Sequence, residues 1–453
     1  TNPPTNVANG FKIGAKKDGT ITAMEAKLYY EAGWAPGSSP LGPACMTVFT
    51  PYDVDHQYVE GFEVVVNKAR CAAYRAPGAP QSEYACEMVI NELADELGLD
   101  PIDLRLKNVA KEGTQTLYGP KLKAVGLVEC LEAAKSSAQY KAALKTNQGR
   151  GVASGFWFNV GGESSVVINM NEDGTGTIVE GSPDIGGSRA SMQMMAAEEL
   201  QMPVESFSAI IGDTQNLPYS NPTGGSRTTF ATGMAVVEAA ADVVSQLKER
   251  AAATWNVTPD QVEWKDGTAI NTNGEGVLSA AEICGSAAKT GGHISGRGNI
   301  SARGASPSFA VHLADIEVDP DTGKTTVLRY TAIQDAGKAI HPGYVEGQYQ
   351  GGSAQGIGWA LNEEYVYSED GTLEDPGFLD YRIPLASDLP MIETVIVEVP
   401  NSFHPFGVRG IGETGIIPPL AACGTAVSNA IGVRMSELPM SPPKILKAIQ
   451  DAS

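Results

Sequence analysis

Apolar and polar residues alternate where the chain opens. Gly10-Phe11-Lys12-Ile13-Gly14 and Thr20-Ile21-Thr22-Ala23-Met24 flank a Lys17-Asp18-Gly19 turn, the pattern of a β-hairpin. A hairpin entered without a leading element needs neighbours for its edges, so the chain reads as a cropped or split polypeptide with a partner beside it. From Ser82 the period lengthens: Tyr84, Met88, Ile90, Leu93 and Leu97 share a helical stripe that Gly98 is suited to end. Asp100 and Pro101 then fit the N-cap and first position of a short helix reaching Lys107. A further helix is expected over residues 126–140, before a break at Asn147-Gln148-Gly149. Beyond it, strand-like runs at 165–170 and 175–180 bracket an Asp173-Gly174 turn. Ala- and Met-rich helices at 191–200 and 233–250 each follow a loop of small residues, and strands return at 325–333 and 392–399. Helices and strands do not alternate as regular βαβ units, so the expected class is α+β.

Composition narrows the partners. The chain has 453 residues, 42% hydrophobic and 19% charged, which suits packed domains and excludes disorder. With 32 Lys+Arg against 53 Asp+Glu, its net charge of -21 disfavours nucleic acid and anionic lipid as partners. No run approaches the ~18 uninterrupted apolar residues of a membrane span. A cytoplasmic location is expected, with the periplasm left open. The cysteines, Cys45, Cys71, Cys86, Cys130, Cys284 and Cys423, form no C-x-x-C pair, and no two of the five histidines stand at ligand spacing. A metal held by His or Cys is therefore not expected, and the thiols should be buried.

Four loops concentrate small residues ahead of helices, where backbone N–H groups can receive an anion: 74–81, 181–189, 222–229 and 407–415. None is a Walker A or a dinucleotide fingerprint. Glu413 is the lone acid among Gly410, Ile411, Gly412, Gly415 and Ile416. A carboxylate there is either a general base with a raised pKa or a helix N-cap. Gln355, flanked by glycines, can hydrogen-bond a ligand heteroatom or simply the local backbone.

Taken in order, these segments resemble the molybdenum-binding subunit of the xanthine oxidase family of molybdenum hydroxylases. The signs are Ala73-Tyr74-Arg75-Ala76-Pro77-Gly78-Ala79-Pro80-Gln81, Asp100-Pro101-Ile102-Asp103-Leu104-Arg105-Leu106-Lys107-Asn108, and Pro222-Thr223-Gly224-Gly225-Ser226-Arg227. Glu346-Gly347-Gln348 with Gln355-Gly356-Ile357-Gly358, Asp380-Tyr381-Arg382-Ile383-Pro384 and Gly410-Ile411-Gly412-Glu413-Thr414-Gly415 complete the set. The resemblance implies a two-domain subunit with a molybdopterin cofactor, in its cytosine dinucleotide form, buried between domains and holding its metal through the pterin dithiolene. Residues 1–110 would be the C-terminal part of the first cofactor-binding domain, 111–150 a connecting segment and 151–453 the second domain. Glu413 takes the place of the family's base. Arg75, Ala76, Gly78, Gly186, Gly187, Ser188, Thr223, Gly224, Ser226, Arg227, Gln355 and Gly412 fall at cofactor contacts, and Arg189 is a further candidate for its pyrophosphate. Tyr74, Pro77, Phe156, Trp157 and His404 are the substrate-pocket candidates. Electrons would leave through 2Fe-2S and FAD partners, and a further chain would carry the N-terminal part of the subunit. The whole assembly could form a dimer.

The chain departs from that pattern at three points. The family's G-Q-G is Gly186-Gly187-Ser188 here, losing a glutamine contact. Ala76 stands where copper-containing carbon monoxide dehydrogenases carry cysteine, which argues against that activity. Pro77 replaces one of two substrate-sandwiching rings, pointing away from xanthine. The expected activity is hydroxylation of an N-heteroaromatic ring or an aldehyde with water-derived oxygen. A reductive member acting on an aromatic thioester and a cofactor-free scaffold are the alternatives.

Overall fold

The computed structural model describes residues 7–217, 219–302 and 307–453. The opening hairpin forms as β1 (Val7–Ala15) and β2 (Ile21–Gly33), antiparallel. Helix α1 (Leu41–Thr47) leads to β3 (Gln57–Val65), which lies parallel to β2. Alternation along β2 buries Met24, Ala26, Leu28 and Tyr30 under α1 and α2 (Ala79–Leu97). The stripe of α2 ends where its sequence indicates, at a left-handed Gly98 whose N–H bonds Ala94 and Asp95 carbonyls. In α3 (Pro101–Asn108), Asp100 accepts from the N–H groups of Ile102 and Asp103 at 2.8 and 3.0 Å.

The helix expected over 126–140 is two helices, α4 (Leu127–Ser136) and α5 (Ala138–Lys141). Ser137 is extended between them and accepts from Tyr140 N at 3.1 Å, so its side chain starts a second helix instead of continuing the first. The break after α5 falls at Asn147 (φ +61°), and Gly149 lies inside β4 (Gln148–Trp157). There follow β5 (Gly162–Met170), β6 (Gly176–Glu180), α6 (Ser188–Leu200), β7 (Phe207–Ile211), a π-turn (Thr228–Thr232) and α7 (Gly233–Trp255). A small sheet of β8 (Val262–Lys265), β9 (Thr268–Asn271) and β10 (Val277–Ser279) precedes α8 (Ala280–Gly285) and α9 (Ala287–Thr290). The remainder is β11 (Ser295–Ala302), β12 (Ser308–Val318), β13 (Thr325–Asp335), α10 (Pro342–Leu361), β14 (Ile392–Val397), α11 (Pro418–Ile431) and α12 (Pro442–Ala452).

Two mixed four-stranded sheets organise this larger part, in the orders β14-β13-β12-β4 and β11-β5-β6-β7. Each receives an Ala-rich helix on a strand with a Gly-x-Gly step. A Cβ at Gly151 of β4 would lie 1.8 Å from the Ala422 carbonyl of α11, and one at Gly298 of β11 would lie 1.9 Å from the Ala235 carbonyl of α7. Helix backbone thus rests directly on strand backbone, an approach that only glycine permits. The stretch Thr228–Trp255 is the one described helix long and apolar enough to cross a membrane, at mean hydropathy 1.2. It packs against β11, β5 and α6 as the centre of the second core.

Candidate functional site

Three of the four small-residue loops meet at Glu413. Its Oε1 accepts from Ala76 N at 3.1 Å and its Oε2 from Ser226 Oγ at 3.0 Å. Both donors are non-glycine residues with left-handed backbones, φ +54° at Ala76 and +56° at Ser226, conformations that concentrate where function over-determines the backbone. Glu413 precedes a short 3-10 turn (Thr414–Ile416) without capping it, so the N-cap reading of its carboxylate fails. Burial pushes the carboxyl above the usual range, against the Ala76 N–H, the Ser226 hydroxyl, the Trp157 indole and the Arg75 charge, which all favour its ionised form. Trp157 Nε1 has no partner at hydrogen-bonding geometry among the described residues, yet its indole stands close enough to act on this carboxylate.

Arg75 ties the Glu413 loop to α10. Its Nε donates to Gly412 O, its Nη1 to Gln355 Oε1 at 2.9 Å, and its Nη2 to Gln348 O and Oε1 at 3.0 and 3.2 Å. A guanidinium only donates, so both glutamines must turn their oxygens toward it and their NH2 groups away. Gln348 was not among the site residues read from sequence. The signal was present, because residues seven apart on a helix share a face and Gln355 had been singled out.

Beside these residues a cleft of ≈ 110 Å³ is walled by Gly186, Ser188, Thr223, Ser226, Thr228, Tyr344, Gln348 and Gly410 to Gly412. Pockets that enclose a whole small molecule start near ~300 Å³, so this one has room for only a portion of such a ligand. Thr223 Oγ1 and Thr228 Oγ1 are buried at its wall without partners among the described residues, and a Cβ at Gly224 would meet nothing within 4 Å. Unpaired hydroxyls, outward amides and exposed glycine backbone fit a polar cofactor held without protein ligands to its metal.

The structure does not bring every expected residue here. Arg227 is buried and spends its guanidinium on the Gly161, Asn221 and Glu163 carbonyls and on Ser164 Oγ, so it braces the loop and leaves the cleft to its neighbours. Arg189 pairs with Asp184 at 3.1 Å. Gly78 caps α2, where a Cβ would lie 2.2 Å from Pro40 O. Phe156 and Trp157 point to opposite faces of β4, as strand neighbours must. Trp157 goes to Glu413, whereas Phe156 is fully buried against Phe309 in another core. Glu83 and Glu87 of α2 fix this phase by accepting from Phe156 N at 2.9 Å and Ser154 N at 2.6 Å. His404 packs on Phe230 and Phe406 and does not line the cleft. Burial drops its pKa to about 4. Tyr74 leans on Trp359 with ring centroids 5.2 Å apart, and Pro77 is half-buried directly after Ala76.

Two matches to the molybdopterin cofactor-binding domain, over residues 5–109 and 126–390, define the class of this fold and site. The second match alone covers more than half of the chain. The chain belongs to the molybdenum-binding subunits of the xanthine oxidase family. It is 31% identical, over 84% of its length, to the putative xanthine dehydrogenase molybdenum-binding subunit of Escherichia coli. It is 29% identical, over 97% of its length, to the aldehyde oxidoreductase of Megalodesulfovibrio gigas. Quinoline 2-oxidoreductase from Pseudomonas putida shares the fold with a TM-score of 0.89 at 23% identity, over 98% of this chain. The chain spans 53%, 48% and 62% of the lengths of these three proteins.

Proposed function

We propose that this chain is the catalytic, cofactor-holding part of a molybdenum hydroxylase that places a water-derived oxygen on an N-heteroaromatic ring or an aldehyde. The observation that carries this reading is Glu413, a desolvated carboxylate fixed by two loops beside a cleft lined with unspent hydrogen-bonding groups. Relatives named for xanthine, quinoline and aldehyde support both substrate classes. When bound, the molybdopterin cofactor, as its cytosine dinucleotide, supplies the two-electron redox centre. Gln348 and Gln355 present amide NH2 groups to it, Thr223 and Thr228 present hydroxyls, and the backbones at Gly186, Ser188, Gly224 and Gly412 leave room for close approach.

Glu413 takes the proton released as water-derived oxygen becomes nucleophilic. Its raised pKa makes it a stronger base than an exposed carboxylate. Trp157, with Tyr74 and Pro77 on the Arg75 loop, borders the substrate. The electrons pass to iron-sulfur and FAD partners that join this chain in a larger, dimerising complex.

The test is turnover of the purified native complex in heavy-oxygen water on a panel of quinolines, purines and aromatic aldehydes. Label in a hydroxylated product supports the reading. A fully molybdenum-loaded complex that oxidises none of them, or takes its oxygen from O2, overturns it.

A further inference from the structure

Two adjacent glycines of the 181–189 loop yield their side-chain space to one face of α10. A Cβ at Gly186 would lie 2.3 Å from Gln348 Nε2, and a Cβ at Gly187, where φ is +81°, would lie 2.4 Å from the Tyr344 ring. Tyr344 and Gln348 are four residues apart and so lie one above the other on the helix, with Gln355 two turns further along. Arg75 fixes the two glutamines. Tyr344 continues their row to the first turn of α10, about 16 Å along the axis from Gln355.

The Tyr344 ring is held by other means. It stacks on His341 with centroids 3.8 Å apart and planes at 14°, and His341, the N-cap of α10, accepts from Tyr344 N at 3.3 Å. The Gly187 backbone closes on the ring from the loop side. Tyr344 nevertheless keeps 43% of its surface and lines the cleft. Its hydroxyl makes no hydrogen bond to the described residues, so a confined ring beside the cleft carries one unspent polar group.

We propose that Tyr344 is a cofactor-contacting residue of this chain, its hydroxyl donating to the bound cofactor in the place a side chain at 187 would otherwise occupy. This rests on the cofactor reading above and extends it to the wall of the cleft formed by the first turn of α10. Gly187 and Tyr344 are then a matched pair: the ring requires the glycine, and the glycine leaves that wall without a hydrogen-bonding group unless the ring supplies one.

The experiment follows molybdenum by mass spectrometry and released pterin by fluorescence as the intact complex is held in cofactor-free buffer. Wild type is compared with Tyr344→Phe, Gly187→Gln and Gly187→Gln/Tyr344→Gly. Tyr344→Phe should lose cofactor about fivefold faster, the worth of one hydrogen bond of average strength. Gly187→Gln should retain less than wild type because its Cβ meets the ring, and the double variant should retain more than Gly187→Gln alone. A Tyr344→Phe complex that keeps its cofactor as wild type does, or a double variant no better than Gly187→Gln, overturns the inference. Wild-type complex without molybdenum or pterin would instead overturn the functional reading on which it stands.

Discussion

Ser226 and Glu413 stand 187 positions apart in the chain, and Ser226 Oγ donates to Glu413 Oε2 at 3.0 Å. The donor sits on a left-handed backbone that costs a non-glycine residue ~1–3 kcal/mol, so the geometry is held against a local preference. That hydroxyl favours the ionised carboxylate. Ser226→Ala should therefore raise the Glu413 pKa further and move the acidic limb of the kcat/KM profile to higher pH. A limb that stays where wild type has it would show that the contact does not tune the base.

Arg75→Lys keeps the charge and loses the fork that bonds Gly412 O, Gln348 and Gln355 together. Both amides would lose their fixed orientation. Molybdenum content of the purified complex should fall by about tenfold, because amides no longer held by Arg75 present themselves less well and weaken cofactor binding by ~1.5 kcal/mol. Full occupancy in this variant would contradict the orienting role.

The seat of the Arg75 loop lies at α2, where fully buried Glu87 receives Arg105 Nε and Nη2 at 3.0 and 2.7 Å together with Ser154 N. Glu87→Ala would leave Arg105 as an uncompensated buried charge. Unfolding by denaturant should show a loss of ~3–5 kcal/mol, whereas removing one partner of an exposed pair such as Lys12–Glu25 should cost under ~1 kcal/mol.

Two buried histidines set an acid limit to stability. His312, bonded to Tyr330 at 2.9 Å, is held down to about 3 by burial, and His404 to about 4. Histidine in the unfolded chain titrates near ~6.5, so on acidification the unfolded state binds these protons first. The stability due to the neutral rings is complete above about pH 6.5 and is lost as pH falls through the folded values. Denaturation midpoints should drop between about pH 7 and about pH 4.5, and less steeply in His404→Gln. Equal slopes for the two proteins would contradict the assignment to His404.

What was legible in the sequence is what local chemistry specifies. The Gly98 stop of α2, the Asp100 cap and the loop carrying Glu413 each follow from a few adjacent residues. Ser137 was missed because a serine inside a helical pattern gives no sign of whether it will cap a new helix. The Phe156–Trp157 pair was read as one aromatic feature, although strand alternation allows only one of the two to face the site. Which one does so is decided by Glu83 and Glu87 gripping β4, a contact between segments some 70 residues apart. Arg227 and Arg189 look alike as loop cations, yet one is spent on carbonyls and the other on Asp184. Tyr344 was invisible for the same reason: its ring is confined by Gly187, which belongs to a distant segment of the chain.

The central claim is that Glu413 is the base of a cofactor-loaded hydroxylase. The most direct measurement is kcat of Glu413→Gln in the native complex, normalised to bound molybdenum. Because the amide is nearly isosteric and keeps the Ala76 and Ser226 neighbours, the cofactor should remain while kcat falls by ~100-fold or more. Turnover equal to wild type at equal molybdenum would contradict the account.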